Sequence, residues 1–187
     1  LSSIGAHMPD GCGPVSGLYW VESELNALEG VAVKHLRPGF FYYNMLANIG
    51  MIKNMGIIGG NYGENATLVM AHTNDIAAVA AEEMLNPTFT GKSVRYIASD
   101  EVATQDIART LGAAIGLPNL PWVNFTDADT IGGMVAAGLS HEVASNYAEM
   151  GSAMANGQMA ADYLTNKPQL SATKFTQFAQ EFAAIYN

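Results

Sequence analysis

One stretch, Val33–Asn44 (VKHLRPGFFYYN), constrains what this chain can fold into more than any other. Val33–Leu36 is a short run suited to a strand buried on both faces. Arg37-Pro38-Gly39 stops it. Proline fixes its own φ and biases the preceding residue toward extended geometry, so Arg37 is expected to end the strand. Gly39 permits a tight turn and close backbone approach by a ligand. Phe40, Phe41, Tyr42 and Tyr43 then open what reads as a helix. Aromatics placed just beyond a strand's carboxyl end line a crevice of the kind in which open α/β sheets bind ligands. Ordinary core packing is the alternative reading of the same four side chains.

The rest of the chain is arranged around that break. Leu1–Ile4 reads as the tail of a parallel strand and Gly5–Pro14 as a loop. A helix from Ser16 or Gly17 to Leu28 carries Leu18, Val21, Leu25 and Leu28 at helical spacing, and Gly30 closes it. Strand, helix and strand together make a βαβ unit, which demands a right-handed crossover. Beyond the aromatics come a helix over Met45–Asn54, a glycine-rich loop over Gly56–Asn65 and a strand at Ala66–Ala71. Thr73 or Asn74 caps a helix over Asp75–Leu85, and Ser93–Ala98 is a strand. Thr104 caps a helix to Ile115 with Ile107, Ala108, Leu111 and Ile115 inward, and Trp122–Phe125 is a strand. Thr126 with Asp129 approximates a capping box for Asp127–Ala137, Ser140 caps a helix reaching Asn156, and Thr173–Tyr186 is a last amphipathic helix. Strands alternating with helices point to an α/β layer architecture.

Composition removes several classes of function. The net charge is −9, and the eight Lys and Arg residues are scattered, so no basic stripe exists to neutralise a phosphate backbone and no direct nucleic-acid partner is expected. No apolar run approaches the roughly 20 residues needed to span a bilayer, so no membrane partner is expected. Cys12 is the only cysteine, which excludes an intramolecular disulfide and a zinc cluster. That fits a reducing compartment, and a cytoplasmic location is the expectation.

Several phrases in order resemble the NmrA-like family of atypical short-chain dehydrogenase/reductases. They are Leu1-Ser2-Ser3-Ile4-Gly5-Ala6-His7, the Glu22–Leu25 helix, Leu36-Arg37-Pro38-Gly39-Phe40-Phe41 with Asn44, and Asp75-Ile76-Ala77-Ala78-Val79-Ala80. Thr104 with its helix, Gly138-Leu139-Ser140, Glu149-Met150 and the Thr173–Asn187 tail resemble the same family's C-terminal portion. The resemblance implies the C-terminal part of a Rossmann-like, doubly wound parallel sheet with a small, mostly helical substrate-binding lobe. Residues 1–50 and 66–86 would belong to the NAD(P)-binding domain, and 51–65 and 87–187 to the lobe. The family's opening G-x-x-G-x-x-G turn, which seats a dinucleotide pyrophosphate on a helix N-terminus, has no match here. Gly56-Ile57-Ile58-Gly59-Gly60 has the wrong spacing. The expectation is therefore the second part of a longer protein, without its glycine-rich N-terminal half.

By resemblance, Ser2, Ser3 and Ile4 border the nicotinamide ribose, Pro38, Gly39, Phe40 and Phe41 flank the ring of NADP or NAD, and Asn44 lies just below. His7, Phe41, Tyr42, Asn44, Met134 and Met150 are the expected substrate contacts. The family's catalytic Tyr-x-x-x-Lys pair is missing: Tyr19, the one candidate tyrosine, is followed four residues on by Ser23, and that helix has no lysine. Met134, Met150, Met154 and Met159 lie in helices that would cover the crevice, either as adaptable packing or as a plastic apolar pocket. His35 reads as a packed core histidine and His141 as solvated. Cys12 has no neighbouring base, and His72 with Asp75 lacks the further ligands a metal needs. Two functions fit. One is, in the intact protein, an NAD(P)H-dependent oxidoreductase for a small, flat, apolar acceptor such as a quinone or aromatic; the other is a catalytically silent NAD(P)-binding redox sensor that signals to a regulatory protein partner. A homodimer is also open.

Overall fold

The computed structural model describes residues 1–187. Helix α1 (Ser16–Ala27) leads into strand β1 (Val33–Pro38), and β2 (Phe40–Phe41) follows immediately. Three-ten turns over Tyr42–Asn48 run into α2 (Ile49–Met55). Next come β3 (Ile58–Gly60), β4 (Thr67–Ala71), α3 (Thr73–Leu85), β5 (Lys92–Ile97), β6 (Asp100–Ala103) and α4 (Thr104–Ala114). Strand β7 (Trp122–Asn124) precedes α5 (Asp127–Ala136), α6 (His141–Ala155), the short α7 (Ala161–Thr165) and α8 (Phe175–Tyr186).

β1 and β5 pair in parallel, Val33 opposite Lys92 and Pro38 opposite Ile97. Along the other edge of β1 the N-terminal stretch donates from Ser2 N to Leu36 O at 2.7 Å and from Ile4 N to Pro38 O at 2.8 Å. Side chains alternate across a strand. On β1 that alternation sends Lys34 to Glu83 of α3, and His35 and Arg37 to Asn26 and Glu22 of α1. The two helices therefore cover opposite faces, as in a doubly wound α/β layer.

The expected helix start at Phe40 is corrected. Phe40 and Phe41 are extended, with Phe40 opposite Met70 and Phe41 opposite Ala71 on the open edge of β4, and helical turns begin only at Tyr42. β4 also pairs antiparallel with β6, a strand the sequence pattern does not announce, and β3, within the expected glycine-rich loop, pairs in parallel with β7.

The core has two main parts. Tyr42, Met45, Ile107, Leu111, Phe175, Phe178 and Phe182 form one between α4, α8 and the β4–β6 ladder. Ile4, Cys12, Val69, Tyr96, Met159 and Tyr163 form the other. Cys12 is fully buried, and burial pushes its thiol up from the ordinary range. The inward stripe expected of α1 is also corrected. Val21 and Leu28 are about half exposed and Leu25 is exposed, whereas Glu22 is the buried residue of that helix. The reason is local: β1 presents His35 and Arg37 to α1, so the helix answers with Asn26 and Glu22, one turn apart.

Candidate functional site

A hollow forms beside the β1–β2 break. Gly39 is buried and donates its N–H to Ile97 O at 2.9 Å. A Cβ built on it would lie 2.5 Å from Val69 O, so only glycine lets β1 turn this tightly against β4. Phe40 then packs edge-to-face on Tyr62 at 5.5 Å between ring centroids, and Phe41, the next residue on β2, projects from the other face of the strand.

A hollow of about 250 Å³ opens beside this break. Ser3 and Ile4 form one wall, Gly39, Phe40 and Phe41 the next, with Asn44 at its edge. Thr67, Leu68 and Val69 of β4 complete the sheet side, and Val15, in the three-ten turn before α1, also lines it. Met150 and Met154 of α6, with Met159 and Ala160 just before α7, cover it. Its polar side chains are Ser3, Asn44 and Thr67; none titrates near neutral pH. Phe41 also lines a second, larger groove with Leu1, Lys34, Leu36, Ile76 and Phe89, and so stands as the wall between the two.

Of the expected contacts, Ser3, Ile4, Gly39, Phe40, Phe41, Asn44 and Met150 line the first hollow together. Ser2 turns away and donates to Glu22 Oε1 at 2.5 Å. Pro38 is buried at the end of β1. Tyr42 is not at the hollow: it is fully buried, its hydroxyl donating to Thr173 O at 3.0 Å, because the three-ten turn points it into the aromatic cluster of α8. Burial first, and the Asp100 and Asp75 carboxylates after it, push its hydroxyl far above the ordinary tyrosine range. Met134, His7 and Tyr19 do not line the hollow either. Tyr19 stacks edge-on against Trp20 at 5.1 Å. Val15, the β4 residues and Ala160 escape sequence reasoning, since nothing local marks a residue brought to a site by strand pairing.

A charge cluster centred on the sealed pair Arg37 and Glu22 adjoins the Ser3 wall of the hollow through Ser2. Arg37 Nε and Nη2 donate to Glu22 at 3.0 and 2.6 Å, and its Nη1 donates to Tyr96 Oη and Asp162 Oδ2, both at 3.0 Å. Burial alone would raise the Glu22 carboxyl, but hydrogen bonds from Arg37 and Ser2 outweigh it and hold it below the usual range. Burial and the bond to Asp162 push the Tyr96 hydroxyl up to about 12. The sequence carried one signal for this cluster: Glu22 sits at stripe spacing, four after Leu18 and three before Leu25.

His35 is packed and bonded to Asn26 Oδ1 at 2.8 Å. His72 caps α3, its Nδ1 accepting from Asn74 N at 3.1 Å, and its Nε2 lies 3.2 Å from Glu181. Asp75 accepts from Ser99 Oγ and Thr173 Oγ1 at 2.6 and 2.9 Å, a tertiary role beyond the helix-end one.

No family model and no curated protein match the sequence. Solved structures do. An NADPH-dependent quinone oxidoreductase from Escherichia coli, solved in complex with NADPH, superposes with a TM-score of 0.76 at 19% identity over 100% of this chain and 64% of that one. A second structure described as a new type of NADPH-dependent quinone oxidoreductase from the same organism gives 0.77 at 20% identity, over 100% and 66%. A nucleoside-diphosphate-sugar epimerase from Staphylococcus aureus gives 0.71 at 15% identity, over 95% and 62%. The chain spans less than two thirds of the length of each. No helix is long and apolar enough to cross a membrane. What these proteins share with the chain is the fold: a Rossmann-like α/β layer in which helices flank parallel strands.

Proposed function

We propose that the chain is the nicotinamide-facing and acceptor-facing part of an NmrA-like NAD(P)H-dependent oxidoreductase, acting on a small, flat, apolar acceptor of the quinone or aromatic type. The observation that carries this is the single hollow bounded by Ser3, Ile4 and Gly39–Phe41 and covered by three methionines. The residues present fit the nicotinamide end of the cofactor: a glycine that clears space at a strand end, flat rings beside it, and two small polar side chains, Ser3 and Asn44. They offer no phosphate grip, since the lining holds neither lysine nor arginine and the chain has no G-x-x-G-x-x-G turn. In this reading residues 1–50 and 66–86 form the cofactor part and the remainder the lobe over the acceptor.

Bound there, the nicotinamide supplies a hydride. The chain's own residues do the rest. Phe40 and Phe41 would flank the flat rings, Ser3 and Asn44 would offer hydrogen bonds to amide or carbonyl oxygens, and Met150, Met154 and Met159 would shut out water. No acid lines the hollow, so the acceptor must be one whose reduced oxygen carries negative charge until it leaves the hollow and takes a proton from bulk water. A quinone meets that demand and a simple ketone does not. NADPH consumption with menadione by the intact protein that carries this chain tests the reading. Turnover is expected, and Tyr19→Phe should leave kcat within about twofold of wild type, because Tyr19 lies outside the hollow. Cofactor binding with no turnover on any quinone would favour the silent sensor, and neither binding nor turnover would remove both readings.

A further inference from the structure

Met159 and Ala160 close the hollow from the α6–α7 connection, where Met159 packs in the second core cluster and the hydrogen bonds of the segment, Ala160 N to Gly157 O and Gln158 N to Asn156 Oδ1, stay within it. Gly157 turns the chain out of α6 at φ +79, and Met159–Ala160 then run directly into α7. The tie comes from α7. Asp162 Oδ2 accepts from Arg37 Nη1 at 3.0 Å and from the Tyr96 hydroxyl, which itself accepts from Arg37 Nη1. The same guanidinium holds Glu22, and Glu22 in turn accepts from Ser2, the neighbour of hollow-lining Ser3. One cluster thus ties the Ser3 wall of the hollow to its Met159 wall.

The burial is uneven along this chain of contacts. Arg37 and Glu22 side chains are 8% and 7% exposed, a sealed pair, while the Asp162 side chain is 33% exposed. The lid-side contact is therefore the one that water can compete for and the one that opens first. Tyr163, fully buried and donating to Glu101 Oε1 at 2.7 Å, is a second tie on the same helix, so losing Asp162 loosens α7 without detaching it.

We propose that Asp162 is a positioning residue for the acceptor pocket, latching the Gly157–Ala160 segment and the Met159 side chain against the hollow through Arg37 and Tyr96. The proposal rests on the oxidoreductase reading for its kinetic consequence only. Hydrogen exchange on the whole chain, with no substrate present, reads the latch directly. In Asp162→Ala the amides of Met159–Thr165 should exchange about tenfold faster, with α4 and α8 unchanged, and Tyr96→Phe should fall between Asp162→Ala and wild type. With menadione as acceptor, KM should rise about tenfold while kcat stays within about twofold, and Asp162→Glu should recover most of the loss. Unchanged exchange in Met159–Thr165, or a rise spread equally over α4 and α8, overturns the latch. So does a fall in kcat at constant KM. If wild type turns over no quinone, the oxidoreductase reading fails and the exchange comparison alone decides the latch.

Discussion

The residues that shape the hollow do so mostly without charge, and the charge cluster adjoins it through Ser2. Glu22 and Arg37 are nearly sealed from water, where each ion needs the other and needs its remaining hydrogen bonds filled. Ser2, Tyr96 and Asp162 fill them. Glu22→Gln leaves the guanidinium short of a buried partner and should cost about 3 kcal/mol of stability at neutral pH, measured by urea denaturation. The pH dependence has a definite sign. The folded-state Glu22 carboxyl titrates below its unfolded value, so its contribution is present above the ordinary carboxylate range and is lost as pH falls through the acid range. The variant should therefore differ from wild type at neutral pH and converge with it in acid. An equal difference at both would contradict the assignment.

Gly39 shows at the scale of an element how one position sets a site. β1 and β4 approach so closely there that a methyl group would collide with the Val69 carbonyl, which is backbone and cannot swing aside. Gly39→Ala should destabilise the fold by about 2 kcal/mol, as overpacking does, and should lower the affinity for an apolar ligand in the hollow. A variant as stable as wild type would mean that β2 is free to shift. The same elements show what was legible in the sequence and what was not. The Pro-Gly break, the strands expected at Ala66–Ala71 and Ser93–Ala98, and the capping box at Thr126 all follow from local chemistry, and the strands stand within a residue of that expectation, at Thr67–Ala71 and Lys92–Ile97. Phe40 and Phe41 do not, because two aromatics before a helical run satisfy strand and helix equally. Only the open edge of β4 decides between them. Nor does α1: its leucine spacing describes a face, but the partner on β1 is polar, so the buried position goes to the one residue that an apolar pattern would skip.

At the scale of the molecule, two layers meet over one hollow. The sheet side comes from residues far apart in sequence, Ser3, Phe40 and Val69, and the cover comes from the α6–α7 connection. The break at Pro38-Gly39 was readable because it is local, whereas Val15, Leu68 and Ala160 arrive through pairing and packing that no short window contains. Likeness to NADPH-dependent quinone oxidoreductases fixes the fold, and the hollow's lining argues for the chemistry. The ten methionines offer a direct test, since their methyl groups report individually by NMR. On titration with NADPH and menadione, the Met150, Met154 and Met159 methyl signals should shift, while those of Met55 and Met134, which do not line either hollow, should hold still. Shifts confined to Met84, in the second groove beyond Phe41, or no shifts at all, would contradict the placing of the site at the β1–β2 break.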